Sequence, residues 1–137
     1  MKNRFKNGKI IHKINYKKVF YFLFFAIIVI SSIPNISTPK ISLSPKFSIR
    51  TDYIFHFLEY LFLVLSFLLW KIEEHNKIKK IYFVFVFLFF VTFAFLEEIH
   101  QKIIPGRVCN PIDFLYDCIG VVSAIFFIVI RLSKNHD

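Results

Sequence analysis

Four apolar runs separated by short polar segments set the pattern of this chain: residues 19–33, 53–70, 81–96 and 112–130. A lone hairpin of strands would leave backbone groups unpaired in hydrocarbon, so each run is expected to be a helix. The expectation is an all-α membrane protein, a bundle of four transmembrane helices. Spans of about 16 to 19 residues are slightly shorter than the roughly 20 that cross a bilayer, which leaves little room for tilt.

The segments between the runs have distinct characters. Residues 33–50 hold Pro34, Pro39 and Pro45 among serines and isoleucines, a composition that breaks helices and suits an extended loop lying as a flap over the helix ends. Trp70 and Lys71 mark an interface at the end of the second run. Pro105-Gly106 is a turn signal that aims Arg107 back toward the helix ends. The first run, with its basic start, is similar to a signal-peptide core. No Ala-x-Ala site follows it and its basic region is long, so it reads as an uncleaved span. Pro34 emerges outside under either reading.

Composition and charge then fix class and orientation. A 56% hydrophobic chain of 137 residues with 20 phenylalanines carries more apolar surface than a soluble domain of that size can bury. The net charge of +9 would point to nucleic acid in a soluble protein. Here the basic residues sit in the tail and short loops, where they set topology and meet anionic lipid, so membrane lipid is the expected partner and nucleic acid is not. Residues 1–18 carry Lys2, Arg4, Lys6, Lys9, Lys13, Lys17 and Lys18 without an acid, and residues 71–80 carry Lys71, Lys77, Lys79 and Lys80. Both segments are therefore cytoplasmic, as are both termini, and the organisation is a basic tail (1–18) followed by one membrane domain (19–137) of a multi-pass cell-membrane protein. Cys109 and Cys118 are too far apart for a disulfide and lack CxxC spacing.

With this topology the second run begins outside, the third ends outside and the fourth begins outside, so three polar clusters meet at the outer face. Asp52, His56 and Glu59 are spaced i, i+4, i+7 and form one helical stripe; Asp113, Asp117 and Gly120 repeat the spacing. Gln101 follows Glu97 by four residues and Glu98 by three, within reach of either. Acids this far into a span are costly unless they face one another or a wet cavity. Four of them, Glu59, Glu97, Glu98 and Asp117, cannot all carry charge at close quarters without retained protons or a bound cation. Asp52 and Asp113 fit either as helix caps or as site residues. Arg107, the nearest fixed positive charge, fits either as a carboxylate's partner or as a bidentate phosphate anchor. His56 and His100 lack HExxH or comparable spacing, so neither a metal nor a cofactor is expected, and His100 reads as interfacial. His12, His75 and His136 fall on the cytoplasmic side.

These residues resemble the VanZ-like family of small bacterial membrane proteins. Its pattern is Asp-Lys-x-x-His-Phe-x-x-Tyr at one helix start, Glu-x-x-Gln ahead of Pro-Gly-Arg, and Asp-x-x-x-Asn-x-x-Gly on the last helix. The chain has Asp52, His56, Phe57 and Tyr60, then Glu98, Gln101, Pro105, Gly106 and Arg107, then Asp113 and Gly120, in that order over residues 51–130. Tyr53 stands where lysine is usual, which removes a cation at the outer mouth; Asp117 stands where asparagine is usual, which adds an acid to the pocket. The resemblance implies a cell-envelope role, with a link to resistance to glycopeptides of the teicoplanin type, and adds Tyr60 to the ligand-binding set.

Three functions fit. In the first, an outer pocket built from Asp52, His56, Glu59, Tyr60, Glu98, Gln101, Arg107, Asp113 and Asp117 binds a lipid-linked cell-wall precursor or other anionic envelope ligand. In the second, His56 or Glu98 is the general base of an enzyme acting on such a substrate, with Arg107 steadying a phosphate or oxyanion. In the third, Glu59 and Asp117 serve a small ion-coupled transporter, though the cytoplasmic halves of the spans hold no polar relay. The oligomeric state is left open.

Overall fold

The structure, a computed structural model, describes residues 5–6, 9–10, 14–35, 40–44, 47–75, 78–107 and 109–134, with side chains for 14–35, 50–75, 78–107 and 109–134. Lys2, Arg4, Lys13, Lys46 and Lys77, with His12, His136, Pro39 and Pro45, lie outside the described residues.

Strands β1 (Phe5–Lys6) and β2 (Lys9–Ile10) form a two-residue antiparallel pair within the basic tail. Helix α1 (Tyr16–Ser31) opens on Asn15, whose side chain accepts the Lys18 N–H at 3.1 Å. It closes where Ser31 and Ser32 turn their hydroxyls onto the Ile28 carbonyl, two residues before Pro34. Strands β3 (Lys40–Ser44) and β4 (Phe47–Arg50) then pair antiparallel, with Ile41 opposite Ile49 and Ser42 opposite Ser48. The expected open loop is thus a hairpin over much of its length. The alternation of Ile41 and Leu43 with Ser42 and Ser44 is the two-residue period a strand needs.

Helices α2 (Thr51–His75), α3 (Lys80–Ile103) and α4 (Pro111–Ser133) complete the chain. All three are long and apolar enough to cross a membrane. At 23 to 25 residues they outrun the apolar runs of the sequence, because polar residues at their ends stay helical. The extra length is about two turns for α2 and α3 and about one turn for α4. Helix α1, with 16 residues and a length of about 24 Å, falls short of the roughly 30 Å of a hydrocarbon core.

Around the bundle the order is α1, α2, α4, α3, with α4 packed most extensively on α2. Gly120 permits that approach: a Cβ there would sit 2.6 Å from the Phe57 carbonyl oxygen and 3.0 Å from the Leu61 nitrogen. Tyr60, Leu63, Leu68, Phe90, Val121 and Ile128 fill the centre and are fully buried. Outward-facing side chains are as apolar as the core: Phe22 is 72% exposed, and Phe25, Phe85, Phe89 and Phe126 are exposed as well. A surface of this kind suits lipid rather than water, and the protein is membrane-embedded on that reading.

Candidate functional site

The polar ends of α2, α3 and α4 meet at one end of the bundle. On α2 the stripe of Asp52, His56 and Glu59 faces a cavity of ≈ 260 Å³ between α1, α2 and α3, which Glu97, Gln101 and Arg107 also line. Its apolar lining comes from Ile27 and Ile30 of α1 and from Phe55 of α2. On α4, Asp113, Asp117 and Gly120 are all buried, as their common face predicts.

At the floor, His56 Nδ1 lies 3.0 Å from Asp117 Oδ1. Asp117 is fully buried and the His56 side chain is 12% exposed, so this pair sits in the protein interior. Glu97 and Glu98 follow one another on α3, yet both are buried, because each finds a donor in a different direction. Gln101, one turn along the helix, donates to Glu97 Oε1; the Asn110 N–H donates to Glu98 Oε2 at 3.0 Å. Donor-capable atoms of His56, Glu97, Glu98 and Asp117, one from each, lie within 4.8 Å of one another. These are metal-ligating side chains, three acids and an imidazole, drawn from three helices.

Asn110 carries more of this end than its place in a short loop announces. Its side-chain oxygen accepts the Ile112 N–H at 3.1 Å, its amide donates to Asp113 Oδ1 at 3.1 Å, and its backbone N–H holds Glu98. Asn110 rather than Asp113 therefore caps α4, and Asp113 sits in the first helical turn. Asn followed by Pro ahead of an apolar run is the sequence signal that marks it. Asp52 is held by Arg50, which donates to both carboxylate oxygens, through Nη2 to Oδ2 and through Nε to Oδ1 at 3.2 Å. The sequence reading missed Arg50 and took Arg107 as the nearest fixed cation. The guanidinium of Arg50 also lies 5.4 Å from the centre of the Tyr53 ring, and Tyr53 stacks on Tyr116 of α4 at 5.1 Å with a 7° interplanar angle. This end therefore keeps a positive charge beside Tyr53, supplied by Arg50.

Arg107 reaches the same cavity by way of a left-handed glycine. Gly106 has φ 76, and a Cβ there would collide with the Asn35 side chain; Asn35 in turn donates its N–H to the Pro105 carbonyl at 3.2 Å. The Arg107 N–H returns to the Ile104 carbonyl at 3.1 Å. Its side chain is half-buried and Nε is buried without a hydrogen-bond partner. The hydroxyl of Tyr60, on a fully buried ring, also lacks a partner. Toward the other end of the bundle the core is apolar, and its buried polar side chain among the described residues, Ser66, spends its hydroxyl on the Leu63 carbonyl at 2.8 Å. Among the described residues no chain of ionisable groups leads through it.

Comparison with protein-family models, with curated proteins and with solved structures finds no match.

Proposed function

We propose that the chain is a multi-pass protein of the bacterial cell membrane, related to VanZ-like proteins, whose cavity opens at the outer face and binds a lipid-linked anionic ligand of the envelope. Helix α1 then serves as a fourth, short span, and both termini lie in the cytoplasm with the basic tail and the Lys79–Lys80 connection. The observation that carries the binding reading is Arg107 Nε, a charged donor that is buried at a cavity without a partner. Such a group is costly to leave unmatched, and an anion restores the hydrogen bond. The cavity has two kinds of wall to match a lipid-linked anion: Ile27, Ile30 and Phe55 for the chain, and Arg107, Gln101 and His56 for the head group.

The test is native mass spectrometry or thermal-shift titration of the purified protein with a polyprenyl phosphate and with the matching neutral polyprenol. Preferential binding of the phosphate, weakened roughly tenfold or more in Arg107→Ala, is the expected result. Equal binding of the two lipids, or of both proteins, sinks the reading. The envelope role has its own measurement. Expression in a susceptible Gram-positive host should lower teicoplanin sensitivity, and Glu98→Gln and Arg107→Ala should reverse that effect.

One contact favours a second reading, an enzyme on the same substrate class. The Nδ1 contact with Asp117 holds His56 as an oriented base with its ring at the cavity. Turnover of a lipid-linked phosphate by purified protein, abolished in His56→Ala with binding retained, would favour catalysis over binding alone.

A further inference from the structure

We propose that His56, Glu97, Glu98 and Asp117 bind one divalent transition-metal ion of the Mn²⁺, Fe²⁺ or Zn²⁺ class. The donor atoms are already gathered, all within 4.8 Å of one another. A second observation concerns what those carboxylates leave unused. Each spends one oxygen on a protein partner: Glu97 Oε1 on Gln101, Glu98 Oε2 on the Asn110 N–H, and Asp117 Oδ1 on His56. Each keeps its other oxygen, Glu97 Oε2, Glu98 Oε1 or Asp117 Oδ2, buried and without a hydrogen-bond partner. The residues are 6%, 3% and 0% exposed, so bulk water does not compensate them. Three adjacent acids in a low-dielectric interior repel one another strongly, and a dication is the partner that satisfies all three free oxygens at once.

The donor set selects the ion class. Three carboxylate oxygens alone would suit Mg²⁺ or Ca²⁺, but an imidazole nitrogen shifts preference toward first-row transition metals. Hydrogen bonding of Glu97 to Gln101 and of Glu98 to the Asn110 N–H is the outer support that orients metal ligands elsewhere. Because His56 and Glu97 also line the cavity, the ion would adjoin it, on the same recess as Arg107. A phosphate could then meet two cations in a recess that is otherwise acidic. The inference rests on the donor cluster and holds whatever occupies the cavity.

The experiment strips the full-length protein in detergent with EDTA, adds Mn²⁺, Zn²⁺ or Mg²⁺ separately, and measures bound metal per chain together with thermal stability. The expected result is one Mn²⁺ or Zn²⁺ per chain, a raised Tm, and weak uptake of Mg²⁺. His56→Ala and Glu98→Gln should lower affinity at least tenfold, while Glu74→Gln at the opposite end should not. Pulsed electron paramagnetic resonance on the wild-type Mn²⁺ form adds a readout free of any folding defect in a variant: coupling to one imidazole nitrogen is expected. No stoichiometric uptake by helical wild-type protein, uptake equal in wild type and both cluster variants, or Mn²⁺ without nitrogen coupling overturns the inference. Polyprenyl phosphate binding by protein that takes up no metal would do the same and leave the proposed function standing.

Discussion

At one end of the bundle Lys71 lies 4.1 Å from the centre of the Trp70 ring and 2.8 Å from Glu74, with Lys17 5.2 Å from the same ring. At the other, Asp117 is fully buried against His56, with Glu97 and Glu98 alongside. Charges at the first end sit at the rim, on flexible stems, around an aromatic residue suited to an interface. Charges at the second end come from three helices and point inward, where they cannot be screened. The difference separates charge held at a helix rim from charge buried between helices, where it is costly unless it is matched.

The most damaging way to break that contrast is to pry apart the two helices that bring His56 to Asp117. Gly120→Val places branched carbon where the Phe57 carbonyl already stands 2.6 Å from a simple Cβ. Overpacking of this kind costs about 1–3 kcal/mol, and here the obstacle is backbone, which cannot rotate away. Thermal unfolding in detergent should show a large fall in Tm, together with loss of metal uptake. A wild-type Tm would mean that α2 and α4 are not in close contact at Gly120.

Next in size is Gly106→Ala. A residue with φ 76 that also abuts Asn35 strains any side chain, at about 1–2 kcal/mol for the left-handed conformation alone. Since this turn aims Arg107, polyprenyl phosphate binding should weaken along with Tm. If binding falls and Tm does not, the turn positions the arginine without supporting the fold.

Asp117→Asn probes the acidic cluster with the shape nearly conserved. An amide keeps a hydrogen-bonding partner for His56 and removes one of three crowded acids. In metal-free protein Tm should therefore rise, by an amount corresponding to about 1 kcal/mol, while affinity for Mn²⁺ falls. A drop in Tm without metal would show that the His56–Asp117 ion pair, rather than repulsion among the acids, dominates this end.

The parts of this arrangement that could be read in the sequence are those set by local periodicity. Asp52, His56 and Glu59 lie on one stripe because a helix turns once in 3.6 residues, and the apolar runs that became α2, α3 and α4 needed only length and composition. The partnership of His56 with Asp117 spans 61 residues, and no local rule assigns it. The bond from Gln101 to Glu97 is one turn along α3 and follows from spacing, whereas the Asn110 N–H that holds Glu98 comes from across the loop. For the same reason the sequence suggests a bound cation among the acids without singling out the set of His56, Glu97, Glu98 and Asp117, whose donors share no linear spacing. Arg50 was lost because the proline-rich stretch before α2 reads as loop, whereas β4 holds the arginine in line with Asp52.

The smallest effect belongs to the basic end. Lys71→Ala removes a cation from the Trp70 face and the partner of Glu74. A cation–π contact at an exposed site is worth about 0.5–1 kcal/mol, and Lys17 remains over the same ring to offset part of it. Helix α2 also keeps Trp70 packed against Phe20 and Phe67, with ring centres 5.9 Å apart in each pair, which no charge supports. Tm should therefore barely move, and metal uptake at the far end should not change. A fall in Tm matching that of Gly106→Ala would mean that charge holds the fold together at the rim as firmly as backbone geometry does near the cluster, and the distinction between the two ends would fail.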